Sequence, residues 1–119
     1  MPLGLLILKW EERSALVKIA QYPQNKDLHV TEKTLIHLLN LHGFSKEPGM
    51  TTLTIKDVNI ITYYSGKKLN YYIILVLNML EDVEDFEQNF EDIAVKILEN
   101  TENLAFKDML PELYRKIII

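Results

Sequence analysis

The side chains in this sequence that most often bind metals are three histidines, His29, His37 and His42. His37 and His42 lie five residues apart in one predicted helix, which points their rings roughly 140° away from each other. A pair of metal ligands on a helix needs a spacing of three or four residues, and the chain contains no cysteine to complete a zinc site. We therefore expect no metal site, with His42 closing the apolar side of the helix and His37 facing water.

The serines do not indicate nucleophilic catalysis either. Ser14, Ser45 and Ser65 all lie in predicted turns, and none stands in the G-x-S-x-G pattern of a nucleophile elbow. Residues 65–68 (SGKK) resemble part of a phosphate-binding loop, but the first glycine of that motif is missing and a strand follows instead of a helix. This segment predicts a hairpin turn.

Residues 81–91 form the most acidic part of the sequence. An EF-hand needs a glycine in the middle of its loop, and this segment contains none. Acidic residues at the start of a helix are favoured by the helix dipole, so we expect a solvated helix face here, whose field would attract a basic partner. No catalytic arrangement is found, and the sequence favours a binding module without cofactors over an enzyme.

Length and charge limit the classes further. A chain of 119 residues predicts one domain over residues 1–119, large enough for a core of its own. The net charge of −4 argues against nucleic acid and against anionic membrane surfaces as partners. The apolar run at residues 3–8 is too short to cross a membrane. We expect a soluble, cytoplasmic protein.

Hydrophobic periodicity predicts five strands and three helical segments. The predicted strands cover residues 4–10, 15–22, 51–56, 58–64 and 69–79. The predicted helices cover residues 31–42, with Thr31 as N-cap, residues 83–97, and residues 104–119, where Pro111 requires a kink or a new first turn. The order is therefore β-β-α-β-β-β-α-α.

The patterns of apolar and polar residues in the predicted strands indicate the order of the strands in the sheet. The first and fifth strands are apolar throughout, as central strands should be, whereas the second and third alternate, as edge strands do. These patterns predict an α+β fold with a five-stranded antiparallel sheet in the order 2-1-5-4-3. The first helix would cover one face and the two C-terminal helices the other.

Some apolar side chains exceed what one buried helix face needs. Ile36 and Leu41 lie on either side of the apolar stripe of the first helix, either packed in a wide groove or exposed to a partner. The same two alternatives, packed or exposed, hold for the isoleucines at residues 117–119. Tyrosines at residues 63, 64, 71 and 72 predict cross-strand aromatic pairs, with one of each adjacent pair at the surface.

The chain resembles longin domains, which have the SNARE-like fold of membrane-traffic proteins, and in particular the stand-alone longin-type proteins of archaea related to eukaryotes. The similarity extends over essentially the whole chain. It is carried by residues 4–10 (GLLILKW), 15–23 (ALVKIAQYP), 59–66 (NIITYYSG), 71–78 (YYIILVLN) and 109–113 (MLPEL). These are packing motifs, so they are specific for fold and not for activity.

The resemblance implies a non-catalytic protein–protein interaction domain. Longin-like domains pair with each other or with roadblock-type domains, and the pairs act as platforms for small Ras-like GTPases in vesicle trafficking. We therefore expect a protein partner of one of these kinds, or a homodimer, with recruitment to membranes only through such partners. No heptad segment or membrane anchor follows Ile119, so no fusion role is expected.

The surfaces that the resemblance points to are the edge strands and the first helix. An edge strand exposes unpaired backbone groups that an added strand can satisfy. We expect Lys18, Ala20 and Tyr22, along one face of the second strand, and Ile36 and Leu41 on the helix to bind the partner.

Two alternatives share parts of this topology. A PAS-type small-ligand sensor has the same sheet order, but PAS domains insert several short helices where this chain has one. A profilin-like cytoskeletal binder typically begins with a helix, whereas this chain begins with a strand.

Overall fold

The computed structural model describes residues 2–11, 15–28, 30–41, 48–55 and 58–117. Its strands are β1 (Gly4–Glu11), β2 (Ala15–Tyr22), β3 (Gly49–Ile55), β4 (Val58–Tyr64) and β5 (Tyr71–Asn78). Its helices are α1 (Glu32–Leu41), α2 (Glu87–Leu98) and α3 (Leu110–Ile117), with 3₁₀ segments at Val83–Asp85 and Glu102–Met109. The sheet is antiparallel in the order β2-β1-β5-β4-β3, which confirms the predicted fold.

The two central strands are buried on both faces. In β5 the side chains from Tyr71 to Leu77 are all buried, and in β1 those from Leu5 to Leu8 are buried. Because antiparallel neighbours satisfy the backbone of these strands on both sides, their continuous apolar character costs nothing in unpaired hydrogen bonds. The apolar runs that predicted central positions were therefore interpreted correctly.

The sheet separates two core layers. The layer under α2 and α3 consists of Leu5, Ile7, Ile61, Tyr71, Ile73, Leu75, Leu77, Phe90, Ile93, Ala94, Ile97, Phe106, Leu110, Leu113, Tyr114 and Ile117. The smaller layer under α1 consists of Leu6, Leu8, Leu28, Leu38, Ile60, Tyr64, Tyr72, Ile74 and Val76. The helices thus lie on the two faces as predicted.

Helix α1 begins where the sequence indicates. The Oγ1 of Thr31 accepts a hydrogen bond from the backbone N–H of Thr34 at 3.2 Å, as an N-cap side chain does. Leu38 is buried against the sheet, whereas His37 is exposed, in agreement with the prediction. His42 lies outside the described residues.

The tyrosine pairs of the β4–β5 hairpin are only partly as predicted. Tyr64 and Tyr72 stack across the strands with ring centroids 4.7 Å apart, which confirms the cross-strand pairing. Tyr71, however, is as buried as Tyr72. Its ring is nearly perpendicular to that of Phe106, with the two ring centroids 6.2 Å apart. The expectation that one of these two reaches the surface is wrong, because helices cover both faces of the sheet.

The C-terminal helical segment is not continuous from residue 104 to residue 119. Asn103 and Leu104 take up left-handed backbone conformations, with φ of 54° and 56°, and 3₁₀ turns continue to Met109. Helix α3 begins only at Leu110, so Pro111 lies in a first turn, where its missing N–H leaves no bond unmade. Ile117 is packed in the core; the residues after it lie outside the described ranges.

One buried hydroxyl is left without a partner. Thr62 on β4 is fully buried opposite Ile74, and its Oγ1 makes no hydrogen bond among the described residues. We expect Thr62→Val to raise the free energy of unfolding by about 1 kcal/mol, because it removes an unsatisfied polar atom and keeps the side-chain shape. Urea unfolding would measure this, with Thr52→Val on the exposed side of β3 as control. A lower free energy of unfolding for Thr62→Val would contradict the prediction.

The tyrosine stack predicts a loss of stability in alkali. Burial, and secondarily the charge of an ionised Tyr64, raises the pKa of Tyr72 from 10.0 to about 12. Because the pKa is higher in the folded state, this contribution is fully present below pH 10 and is lost as the pH rises towards 12. We expect Tyr72→Phe to flatten the fall of the free energy of unfolding across this interval, as measured by urea unfolding at several pH values. An unchanged slope would show that Tyr72 is not the titrating group.

Candidate protein-docking surface

Strand β2 forms one edge of the sheet and carries three of the predicted partner-binding residues. Among the described residues it pairs only with β1. Leu5 lies opposite Tyr22 and Ile7 opposite Ala20, but the next residue, Leu8, lies opposite Lys18. Ile19 is therefore an extra residue, and β2 contains a β-bulge at this point.

The bulge changes which face the side chains occupy. Ala20 and Tyr22 pair with residues of the core under α2 and α3 and pack against that layer. Lys18 pairs with Leu8, which belongs to the layer under α1. The expectation that Lys18, Ala20 and Tyr22 share one face is wrong, because one inserted residue reverses the alternation of a strand.

A groove on the α3 side runs along the edge of β2. We call it the α3 groove; it has a volume of about 450 Å³ and is lined by residues 18–24 together with Lys107, Leu110 and Pro111. The ring of Tyr22 packs against that of Tyr114 with centroids 5.3 Å apart, which fixes the inner wall. The charged residues among those lining it, Lys18 and Lys107, are both basic and exposed.

A second groove lies on the other face of the same strand. This α1 groove, about 380 Å³ in volume, has the buried Leu6, Leu8 and Leu28 among its lining residues. The partly buried Leu16 and Leu35 contribute from β2 and α1 respectively, and Lys18, Lys26 and Asp27 also line it. Apolar side chains with charged groups beside them are typical of surfaces that bind protein segments.

The turn after β2 is held by the side chain of Gln21. Its Nε2 donates to the carbonyl of Pro23 at 2.9 Å and to that of Lys26, and its Oε1 accepts from the Nζ of Lys18 at 3.3 Å. The Tyr22–Pro23 peptide bond is cis. The hydrogen bonds of the Gln21 side chain link Lys18 to the 23–26 turn, so the end of β2 and the wall of the α1 groove form one unit.

Of the two predicted partner-binding residues on α1, Ile36 and Leu41, the structure describes only the side chain of Ile36. Ile36 is 55% exposed and follows Leu35, which lines the α1 groove. Leu41 is the last residue of α1, and its side chain lies outside what the structure describes. The structure therefore brings the start of α1 to Lys18 across the α1 groove, whereas Ala20 and Tyr22 lie on the opposite face. Helix α1 also contacts β3, the other edge strand.

The chemistry-bearing residues have structural roles where they are described. Ser65 closes the β4–β5 turn, since its Oγ accepts from the N–H of Tyr71 at 2.8 Å and donates to the carbonyl of Gly66 at 3.2 Å. Among the described residues no group of three His, Cys, Asp or Glu side chains is arranged to hold a metal ion. Ser14, Ser45 and His29 lie outside the described ranges.

Comparison of the chain with protein-family models, curated proteins and solved structures finds no match. No helix within the described ranges has the length and apolar character needed to cross a membrane.

Sequence reasoning missed the contribution of the C-terminal segment to this surface. Lys107, Leu110 and Pro111 lie almost ninety positions after β2 in the chain, and only the packing of α3 beside the strand brings them to the α3 groove. The one local signal was Pro111, which indicates that a helix starts there.

Gly4 allows the end of β2 to pack against β1. A Cβ atom at this position would lie 2.6 Å from the carbonyl oxygen of Tyr22 and 2.8 Å from a methyl carbon of Leu28. We expect Gly4→Ala to lower the free energy of unfolding by roughly 1–3 kcal/mol, because a backbone atom must move. Gly49→Ala is the matched control, since no atom lies within 4 Å of its added methyl group. Urea unfolding of both variants checks this, and equal stability of the two would contradict the prediction.

Proposed function

We propose that this chain is a non-catalytic protein–protein interaction module of the longin type, a platform or adaptor for small Ras-like GTPases in membrane-traffic machinery. The observation that carries the proposal is that the edge strand β2 is flanked by a groove on each face. A second longin- or roadblock-type domain, or a second copy of the chain, is the partner for this edge, and the exposed side of α1 faces the GTPase.

An edge strand with two grooves suits the addition of a segment from another protein. Backbone groups of the added segment pair with the free edge, and its side chains alternate between the two faces. Here the α3 groove would accept side chains on one face and the α1 groove those on the other. The bulge at Ile19 divides the edge into two short stretches of regular pairing, 15–18 and 20–22. A short or itself irregular strand would fit this edge best.

The exposed part of α1 supports a second contact. Ile36 is a large apolar side chain, more than half exposed, and it directly follows Leu35, which lines the α1 groove. A helix of ten residues that exposes such a side chain beside a groove provides a small apolar centre for binding. A GTPase bound here would not need the α3 groove.

The volumes of the grooves favour one other function. The α3 and α1 grooves, with volumes of about 450 and 380 Å³, are in the size range of small-molecule binding sites. A PAS-type ligand sensor is therefore the second candidate. Its discriminating measurement is a thermal-shift screen, in which a small molecule that stabilises the chain by several degrees would favour the sensor.

The test of the proposal is whether the chain binds small Ras-like GTPases loaded with GDP or GTP. Light scattering coupled to size exclusion detects the complex. We expect a complex whose affinity depends on the nucleotide and falls at least tenfold in Ile36→Asp, because a charge replaces the apolar contact. His37→Asp is the control, since His37 is also exposed on α1 but polar.

Failure of every GTPase and of every longin- or roadblock-type domain to bind the wild-type chain would overturn the proposal. A complex that forms with unchanged affinity in both Ile36→Asp and His37→Asp would place the contact elsewhere than at Ile36. Circular dichroism of both variants shows that each still folds, as expected for exposed positions.

A further inference from the structure

The turn that follows β5 presents two apolar side chains to water. Leu80 is 98% exposed and Met79 is 45% exposed, both above the 39% of Val95, an exposed apolar residue on α2. We call residues 78–81 the Leu80 turn. A leucine that makes almost no contact with its own chain contributes little to the stability of the fold. Its exposed apolar surface can instead be buried against a partner.

The Leu80 turn is fixed by its own hydrogen bonds. The Oδ1 of Asn78 accepts from the N–H of Leu80 at 2.9 Å, and the carbonyl of Asn78 accepts from the N–H of Glu81 at 3.2 Å. The N–H of Asn78 in turn donates to the carboxylate of Glu81 at 3.1 Å. Leu80 is thus held at the tip of a closed turn.

The neighbouring strands brace this turn from below. Asn59 on β4 donates from Nδ2 to the carbonyls of Asn78 and Glu81, at 3.4 and 3.1 Å. Its Oδ1 accepts from the Oγ1 of Thr54 on β3 at 2.6 Å. A contact residue whose backbone is already ordered loses less conformational entropy on binding than one on a mobile loop.

The part of the chain that follows the Leu80 turn is acidic. Between Lys68 and Lys96 the sequence contains no Lys or Arg. The same stretch contains seven acidic residues: Glu81, Asp82, Glu84, Asp85, Glu87, Glu91 and Asp92. Asp82, Glu84 and Asp85 are exposed directly after the turn. A surface that accepts Leu80 and Met79 must therefore be apolar and carry positive charge.

The α3 groove of the same chain has these properties. Leu110, Pro111 and Tyr22 give it an apolar lining, and its charged lining residues are the exposed Lys18 and Lys107. Its volume of about 450 Å³ leaves room for side chains from outside the chain. It is thus complementary to the Leu80 turn in both polarity and charge.

The turn and the groove lie at the same end of the molecule. Tyr114 packs against Tyr22 of the groove at 5.3 Å. Leu5 of β1 lies opposite both Tyr22, the last residue of β2, and Leu75, three residues before the end of β5, so the groove and the turn are at the same end of the sheet. When two complementary patches lie side by side on one molecule, a two-fold axis can bring each patch of one copy against the other patch of the second copy.

We propose that the chain forms a two-fold symmetric dimer in which the Leu80 turn of each copy inserts into the α3 groove of the other. This inference rests on the proposed function, because it names the occupant of one of the two grooves beside β2. It leaves the α1 groove and Ile36 free for a further partner. Salt should weaken the dimer, since charge complementarity contributes to it.

The first test is sedimentation or light scattering of the full chain over a range of concentrations at low salt. We expect a monomer–dimer equilibrium, and at least a tenfold weaker dimer for Leu80→Ser and for Lys107→Glu. The matched controls are Val95→Ser, another exposed apolar residue, and Lys68→Glu, an exposed lysine in the β4–β5 turn. Both controls should dimerise as the wild-type chain does.

The second test exchanges the charges between two variants. Lys107→Glu alone and the double variant Glu84→Lys/Asp85→Lys alone should each dimerise at least tenfold more weakly than the wild-type chain, because both contacts of each homodimer bring like charges together. Their equimolar mixture should form a heterodimer, because both contacts then join opposite charges. The control double variant Glu91→Lys/Asp92→Lys, with exposed acidic residues further along α2, should not restore dimers with Lys107→Glu.

Two results would overturn the inference. A chain that stays monomeric at every concentration would do so, and the GTPase experiment would still test the proposed function independently. A dimer that persists in Leu80→Ser and dissociates in Ile36→Asp would place the interface on α1, which contradicts the inference but supports the proposed interaction module.

Discussion

Burial of β1 and β5 on both faces is the constraint on which the rest of this structure depends. Their apolar side chains point to both sides of the sheet, so both sides must be covered. Within the described ranges, α1 covers one face, and α2, α3 and Phe106 of the preceding 3₁₀ segment cover the other. The cover is complete at the centre of the sheet and ends at its edges.

The bulge in β2 gives one of these edges its character. With regular alternation, Lys18 would join Ala20 and Tyr22 on one face. The extra residue at Ile19 instead places Lys18 opposite Leu8 and leaves Ala20 and Tyr22 against the C-terminal helices. Lys18 lines both grooves, together with Lys107 at the α3 groove and Lys26 at the α1 groove.

The Leu80 turn shows how polar groups can serve an apolar contact. Its bonds join side chains and backbone from β3, β4 and the end of β5. These groups are satisfied within the turn and its supports, so Leu80 is held outward without a buried polar group left unpaired. In the proposed dimer, the ordered backbone of this turn and the acidic residues that follow it match the apolar lining and the lysines of the α3 groove.

Much of the fold could be predicted from the sequence, because periodicity and caps are local properties. The apolar runs of β1 and β5 determined their central places, and Thr31 determined where α1 begins. The candidate site could be predicted only in part: the sequence indicates β2 as an edge strand and Ile36 and Leu41 as surplus apolar residues of α1, but it indicates neither the bulge nor the side chains that the C-terminal segment brings to the groove. Those depend on the register between β1 and β2 and on contacts across almost ninety residues of chain. The sequence by itself determined which strands are buried, whereas only the tertiary structure decided which side chains meet at the edge, because register and helix packing are set by partners distant in the chain.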